Sequence, residues 1–367
     1  MAFDVESIAP ADAQTWLRLT LLPALPPHKQ HLLLRAFGSA DAVLGAPRGR
    51  LIELVGEPAT QALARGPEPD LLAATREWLA RPGCRLVGLG EAAYPQLWKQ
   101  IAVPPCAFYA EGRTELLNRK SLAIVGSRNA TPRGQADARD FARALADEGV
   151  VIVSGLALGI DGAAHRGALE GAASTIAVIG TGPDRIYPPR HAGLAGEIAR
   201  RGCIVSEFPV RTPPLERNFP RRNRLISGLA QGVLVVEAAQ HSGSLGTARA
   251  ALEQNREVMA MPGSIHSPLS KGCHWLIKEG AKLVDCVDDI AHEIGIRAPA
   301  ESGPASTERD EVLDAMGFGP VTPEHIAQRI GLDAATLAAR LSWLEIEGRV
   351  QPLAGGWFQR AEKRVIE

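Results

Sequence analysis

Between Leu122 and Val284 the chain alternates short, wholly apolar runs with longer amphipathic stretches, and this alternation limits the possible folds more than any other feature. Leu122-Ala123-Ile124-Val125, Val150–Val153, Thr175–Ile179, Ile204-Val205, Val233–Val236, Val258-Met259-Ala260 and Lys282-Leu283-Val284 read as strands. Runs without polar alternation are expected of strands covered on both faces. Thr131-Pro132 starts one helix, with threonine at the N-cap and proline in the first turn. Others are expected near Asp161 to Leu169, His191 to Arg201 and Leu245 to Gln254. The spacing predicts an α/β fold, a doubly wound and mostly parallel sheet.

Glycine-rich turns recur where those strands end: Gly126-Ser127-Arg128, Ser154-Gly155-Leu156-Ala157 and Ser242-Gly243-Ser244. A strand ending in glycine and feeding a helix aligns backbone N–H groups with a helix N-terminus, and this geometry binds phosphate. Phe219-Pro220-Arg221-Arg222-Asn223-Arg224 adds three arginines within four positions. If Pro220 opens a helix, Arg221 and Arg224 share one face, Leu225, Ile226 and Leu229 face the core, and Arg222 lies at the border. Cations in a first turn oppose the helix dipole, so a nearby anion is expected. Structural ion pairs are the alternative. Arg128 in its loop can grip a phosphate bidentately, and Lys271 is a candidate for another phosphate or an ordinary surface lysine.

Asp161 and His165, four apart, fit an acid–base pair or an aspartate at a helix start beside a hydrogen-bonded histidine; the second reading is preferred. There is no H-E-x-x-H sequence or carboxylate cluster of the kind that marks a metal, and no metal or cofactor is expected. Ser242 to Glu253 also suits a sugar-nucleotide site, which keeps an enzyme reading open.

The length of 367 residues implies about two or three domains. Residues 1–80 read as short helices broken by Pro23, Pro26, Pro27, Gly38 and Gly56. Such a helical segment suits protein contacts or a helix-hairpin-helix DNA module, with the first preferred. Residues 81–296 form the core and 297–309 a linker rich in Ala, Ser, Pro, Glu and Thr. Residues 310–367 offer three helices and a hairpin, a winged-helix pattern. Its third helix, Ala334 to Glu347, sets Arg340 alone against Glu345 and Glu347, which suits protein contact better than duplex DNA.

Five scattered cysteines without a C-x-x-C pair, no secretory signal in Met1 to Gln14 and no membrane-length apolar run predict a cytoplasmic protein. With net charge −1, nucleic-acid binding has to come from a local patch.

Taken together, these motifs resemble the DNA-processing protein A family (DprA, also called Smf). The resemblance rests on Ala123–Arg128, Ser154–Ala157 with Gly159-Ile160-Asp161 and Ala164-His165, and Ile186-Tyr187-Pro188. It extends through Ser206-Glu207 with Pro209, Phe219-Pro220 with Arg222–Leu229, Glu237-Ala238, Ser242-Gly243-Ser244 and Pro262-Gly263. It implies an extended Rossmann-like core that binds single-stranded DNA and loads RecA during natural transformation. It also implies a core-mediated homodimer, a SAM-like helical domain at 1–80 and a winged helix. On these grounds Gly126, Ser127, Arg128, Ser154, Gly155, Phe219, Arg221, Arg222, Asn223, Arg224, Ser242, Gly243, Ser244 and Lys271 are the expected single-strand contacts. His274 stands where many relatives have asparagine. The expected function is a non-enzymatic recombination mediator. A nucleotide or nucleotide-sugar enzyme using Asp161, Glu237 or Glu253 is the alternative, and a pure adaptor a third reading.

Overall fold

The computed structural model describes residues 8–296, 310–317, 319–353 and 355–360. They fall into two compact units that divide near residue 298. The expected linker, 297–309, lies outside the described residues, as does Ala354 of the expected hairpin turn.

The first unit opens with six helices, α1 (Ala13–Thr20), α2 (Pro27–Phe37), α3 (Ala40–Leu44), α4 (Arg48–Val55), α5 (Glu57–Arg65) and α6 (Pro69–Leu79). Asp12 caps α1 by accepting the Thr15 amide at 2.7 Å, and Gly38, left-handed at φ 78°, ends α2. Trp16, Leu33 and Leu34 of these helices belong to the same hydrophobic cluster as the sheet residues Val87, Phe108, Leu122 and Val235. The helical segment therefore shares one core with the sheet.

That sheet has nine strands: β1 (Cys84–Gly88), β2 (Ala107–Gly112), β3 (Ser121–Val125), β4 (Val151–Ser154), β5 (Thr175–Val178), β6 (Cys203–Ser206), β7 (Gly232–Val235), β8 (Glu257–Ala260) and β9 (Lys282–Leu283). Their order is β1-β2-β6-β5-β4-β3-β7-β8-β9. From β6 to β9 every neighbour is parallel, while β1, β2 and β6 pair antiparallel. The antiparallel margin escapes the sequence reading, because β1 includes exposed Arg85 and no helix-length stretch separates it clearly from its surroundings. The parallel strands keep their expected places to within a residue or two. β3, β4 and β5 are buried at every position, in agreement with their unbroken apolar runs.

The helices between these strands are α7 (Pro132–Asp147), α8 (Ile160–Glu170), α9 (Ala192–Arg201), α10 (Asn218–Leu229), α11 (Gly243–Glu253) and α12 (Lys271–Lys278), and α13 (Val287–Glu293) follows β9. After β3 the chain winds outward through β4, β5 and β6, then returns to lay β7 on the other side of β3. The point of reversal lies between β3 and β7, where Val125 pairs with Val235. Crevices in doubly wound sheets open at such a point.

The second unit contains α14 (Glu311–Met316), α15 (Pro323–Ile330), α16 (Ala334–Ile346) and the antiparallel hairpin β10 (Val350–Leu353) and β11 (Trp357–Arg360). Val312, Leu313, Ile326, Leu337, Leu341, Leu344 and Val350 form its own core. Three helices and a hairpin make the expected winged helix. Among the described residues of the chain, no helix is long and apolar enough to cross a membrane.

Two buried histidines tie these elements together in the neutral state. His165 Nε2 accepts the Leu156 amide (3.3 Å), and Nδ1 donates to Thr175 Oγ1 (2.8 Å), whose own hydroxyl is given to Ile152 O. His31 of α2 donates from Nε2 to Pro104 O at 2.7 Å. Burial lowers the pKa of His165 to about 3 and that of His31 to about 4. Both values lie below the unfolded 6.5, so the unfolded chain takes up protons first as pH falls, and stability is lost below pH 6.5. At pH 5 each histidine costs about 2 kcal/mol relative to neutral pH. Urea denaturation at pH 7.5 and pH 5 is expected to show this loss, and His31→Asn to remove about half of it. Equal stability at the two pH values would contradict the assignment.

Candidate nucleic-acid interface

The loop after β3 is held from two sides. The Ser127 amide donates to Glu237 O beyond β7 (2.7 Å), and Ser127 O accepts the Ile160 amide at the start of α8 (3.2 Å). Gly159 is left-handed (φ 75°), and a Cβ there would stand 2.2 Å from Ser127 O, so only glycine lets α8 begin so close. The Glu237 carboxylate accepts the Thr131 amide (2.9 Å) and Thr131 Oγ1 (2.6 Å), while Thr131 Oγ1 accepts the Gly134 amide as the expected N-cap of α7. The loop that presents Arg128 is thus fixed at both ends.

α10 supplies the facing wall. Its helix starts at Asn218, two residues before the expected start, and Pro220 sits within the first turn, where no intrahelical amide is required. Arg222 is not at the border of the buried stripe but inside it, with 4% exposure. Its Nη1 donates to Gly155 O (2.6 Å) and Val178 O (2.5 Å), joining the ends of β4 and β5. A Cβ on Gly155 would lie 2.1 Å from that nitrogen, so glycine is required for the close approach. Beneath it Asp161 accepts the amides of Gly155 (3.1 Å) and Ala157 (3.3 Å). Burial pushes the Asp161 carboxyl up, against the pull of Arg222 and those two amides. Burial also lowers the Arg222 guanidinium to about 10, which leaves it charged at neutral pH.

Between these walls lies a cleft of about 1320 Å³. Gly126, Ser127, Arg128, Phe219, Arg222, Asn223, Ser242, Gly243, Ser244 and Lys271, all expected from sequence, line it together. At its centre the Phe219 ring lies 5.5 Å from the guanidinium carbon of Arg128 and 6.0 Å from that of Arg222. Tyr187 stands beside it, its ring 5.8 Å away and tilted 44°, with 43% exposure. The start of α11 also lines the cleft: Ser242 Oγ caps it by accepting the Ser244 amide (3.3 Å), Asn223 Nδ2 of α10 donates to Gly243 O (3.3 Å), and a Cβ on Gly243 would meet nothing within 4 Å. The first turn of α11 therefore exposes bare backbone of the kind that holds anions.

Four expected residues lie elsewhere. Ser154 Oγ donates to Ile124 O (2.6 Å), and Gly155 is covered by Arg222. Arg224 is engaged by Glu207 Oε1 (2.5 Å) and Val103 O (2.6 Å). Arg221 sits outside the cleft, its guanidinium carbon 5.4 Å from the Phe208 ring. Spacing alone cannot separate these arginines, since what each one meets is set by the strands and loops packed against the helix. Tyr187, Asn129, His241 and His266 line the cleft without having been expected there. Tyr187 had a signal in the Ile186-Tyr187-Pro188 motif, whereas the others lie in loops without periodicity. Lys271 also donates to Ile265 O (2.6 Å), and His274 Nε2 to Gly263 O (2.9 Å).

One grouping of metal-type ligands occurs away from the cleft, Asp285, Cys286 and Asp289, within 4.8 Å of one another. Asp289 accepts the Asp285 amide (3.1 Å), and burial raises the Cys286 thiol, which opposes the thiolate a metal requires.

Residues 85–295 match the family described as DNA recombination-mediator protein A, and residues 296–356 match the DprA winged helix domain. The chain belongs to the DNA recombination-mediator protein A family. It is 44% identical over 295 residues to Protein Smf of Escherichia coli strain K12, covering 77% of this chain and 79% of that protein. The putative DNA processing protein DprA of Mycobacterium tuberculosis strain H37Rv is 34% identical over 368 residues, 94% of each chain. The crystal structure of DprA from Streptococcus pneumoniae superposes with a TM-score of 0.68 at 34% identity, covering 78% of this chain and 99% of that one. DNA processing protein A of Helicobacter pylori, described for its unique single-stranded DNA binding mode, gives 0.52 at 31% identity, with 58% and 95% covered.

The buried contacts of Arg222 generate a prediction about stability. Arg222→Ala strips the Gly155 and Val178 carbonyls of a charged donor and removes the positive charge that faces buried Asp161. The expected loss is about 3 kcal/mol or more, read from the urea midpoint without DNA. Arg222→Lys should recover only part of it, because a point ammonium lacks the planar fork of a guanidinium.

Proposed function

We propose that this member of the family binds single-stranded DNA in the cleft between β3 and β7 and delivers the strand to RecA as a recombination mediator. The observation that carries the reading is the juxtaposition of Arg128 with the Phe219 ring, itself beside Tyr187, in a cleft that the first turn of α11 also lines. Phosphates meet the cation and the amides, while bases find an aromatic platform that accepts any sequence. Single strands expose their base faces, whereas a duplex hides them. The single-stranded DNA binding described for the H. pylori relative supports the same reading.

The carboxylates on which a nucleotide enzyme would rely favour binding over chemistry. Asp161 is occupied by two backbone amides and Glu237 by Thr131. Glu253 is exposed at the far end of α11 and does not line the cleft. RecA delivery and a homodimer through the core complete the proposal and rest on family resemblance.

Equilibrium binding to a labelled oligonucleotide and its duplex at two salt concentrations tests it. The single strand should bind preferentially and with strong salt dependence. Arg128→Ala should weaken binding for every sequence and lower the slope of log K against log salt by about 0.7. RecA assembly on single strands should accelerate with the wild-type protein and not with Arg128→Ala. No single-strand binding at low salt would sink the proposal. Binding without any effect on RecA would reduce it to a single-strand binder.

A further inference from the structure

The wall of the cleft formed by the start of α10 has a second side. Pro214, Glu216, Phe219, Pro220 and Asn223 face the cleft, and Arg217 and Arg221 are interleaved among them without lining it. Arg217, the N-cap residue of α10, and Arg221 are exposed and four apart, so they occupy one side of the helix start. Arg221 lies on the ring of Phe208, which begins the loop leading to exposed Arg211. That loop is interlocked with the one after β5: the Gly182 amide donates to Thr212 O (3.0 Å) and the Arg211 amide to Asp184 Oδ1 (2.8 Å). The second loop carries Arg185 and leads to Arg190, both exposed.

Five arginines are thus gathered on adjoining segments, in a chain whose net charge is −1. The nearby carboxylates do little to balance them. Glu207 is taken by Arg224, Asp184 by the Arg211 amide and by Arg185 at 3.9 Å, and Glu216 faces the cleft. Arg211, Arg217 and Arg221 have no carboxylate partner among the described residues. Arg217 and Arg221, at the start of α10, also work against the helix dipole, and the ring contact of Arg221 with Phe208 offsets only part of that. An anion outside the protein relieves that repulsion.

We propose that Arg211, Arg217 and Arg221 form a second phosphate-binding track, which takes the backbone of a single-stranded polynucleotide as it leaves the cleft past Phe219. The track rests on the cleft reading, since the strand reaches it through the cleft. It makes the site longer than the cleft and predicts that affinity depends on strand length.

The test compares an oligonucleotide of about six nucleotides, enough for the cleft, with one of about twenty. The triple variant Arg211→Ala, Arg217→Ala and Arg221→Ala should leave the short strand unaffected. For the long strand it should lower the salt slope by about two and weaken binding by one to two orders of magnitude, on the order of 0.7 of slope per lost phosphate contact. Equal affinity of wild type and variant for the long strand would overturn the track and leave the cleft reading intact. Equal weakening for both strands would also overturn it, because the arginines would then act by holding α10 in place. Wild-type protein that binds neither strand would remove the cleft reading and the track with it. Should the triple variant fail to fold, Arg211→Ala alone lies in the loop, away from the helix, and should lower the long-strand slope by about 0.7.

Discussion

The buried guanidinium of Arg222 is the constraint around which the site is assembled. A charged group at 4% exposure needs compensation: Arg222 Nη1 serves two carbonyls from different strands and the Asp161 carboxylate supports its charge, although its buried Nε has no hydrogen-bond partner among the described residues. Those carbonyls, Gly155 O and Val178 O, mark the ends of β4 and β5, so one side chain sets the position of α10 relative to two strands at once. Asp161 secures the same turn from the other side through the Gly155 and Ala157 amides. Phe219, three residues before Arg222 and one helical turn away, is thereby fixed over the cleft without needing to bury its own ring fully. The cost of burying the Arg222 charge is offset by the Asp161 carboxylate and the two accepting carbonyls, and the arrangement leaves that cation 6.0 Å from the centre of the Phe219 ring.

The topology explains why so many separate segments meet here. β3 and β7 are neighbours in the sheet yet more than a hundred residues apart in the chain, and between them the sheet changes its direction of winding. The loops leaving these two strands must diverge, and the gap between them is the cleft. The glycine at each turn serves a different need. Gly155 and Gly159 admit a side chain and a carbonyl that a Cβ would displace, whereas Gly243 faces open space on its Cβ side. Structural and ligand-facing glycines carry the same letter in the sequence, and only their surroundings tell them apart.

That distinction marks how far the sequence could be read. The parallel strands were legible because burial on both faces leaves an unbroken apolar run, and Thr131-Pro132 announced α7 through capping chemistry that is local. The margin β1–β2 was not, since its exposed edge and short length produce no period. Within the candidate site, residues at a strand end, such as Gly126, Ser127 and Arg128, line the cleft as their position in the sequence leads one to expect. The three arginines of α10 were not separable, because whether one is buried, paired or free depends on what the sheet brings against it. Val178, Glu207 and Phe208, which decide those three fates, lie 44, 17 and 13 residues from Arg222, Arg224 and Arg221 in the chain.

The arginines of this helix start therefore divide a common chemistry into three tasks. Arg222 is desolvated and holds carbonyls, so its contribution is to architecture. Arg224 is satisfied by Glu207 and a carbonyl, and its charge is largely cancelled before it reaches solvent. Arg221 holds its guanidinium carbon 5.4 Å from the centre of the Phe208 ring and is exposed, the state in which a guanidinium gains most from meeting a phosphate. A phosphate that displaces water from such an exposed group meets little desolvation cost on the protein side, and the contact with Phe208 already restricts the side chain's freedom. Counting basic residues would rank the three alike. Their use as ligands for a polyanion depends instead on how much of each charge the fold has already spent.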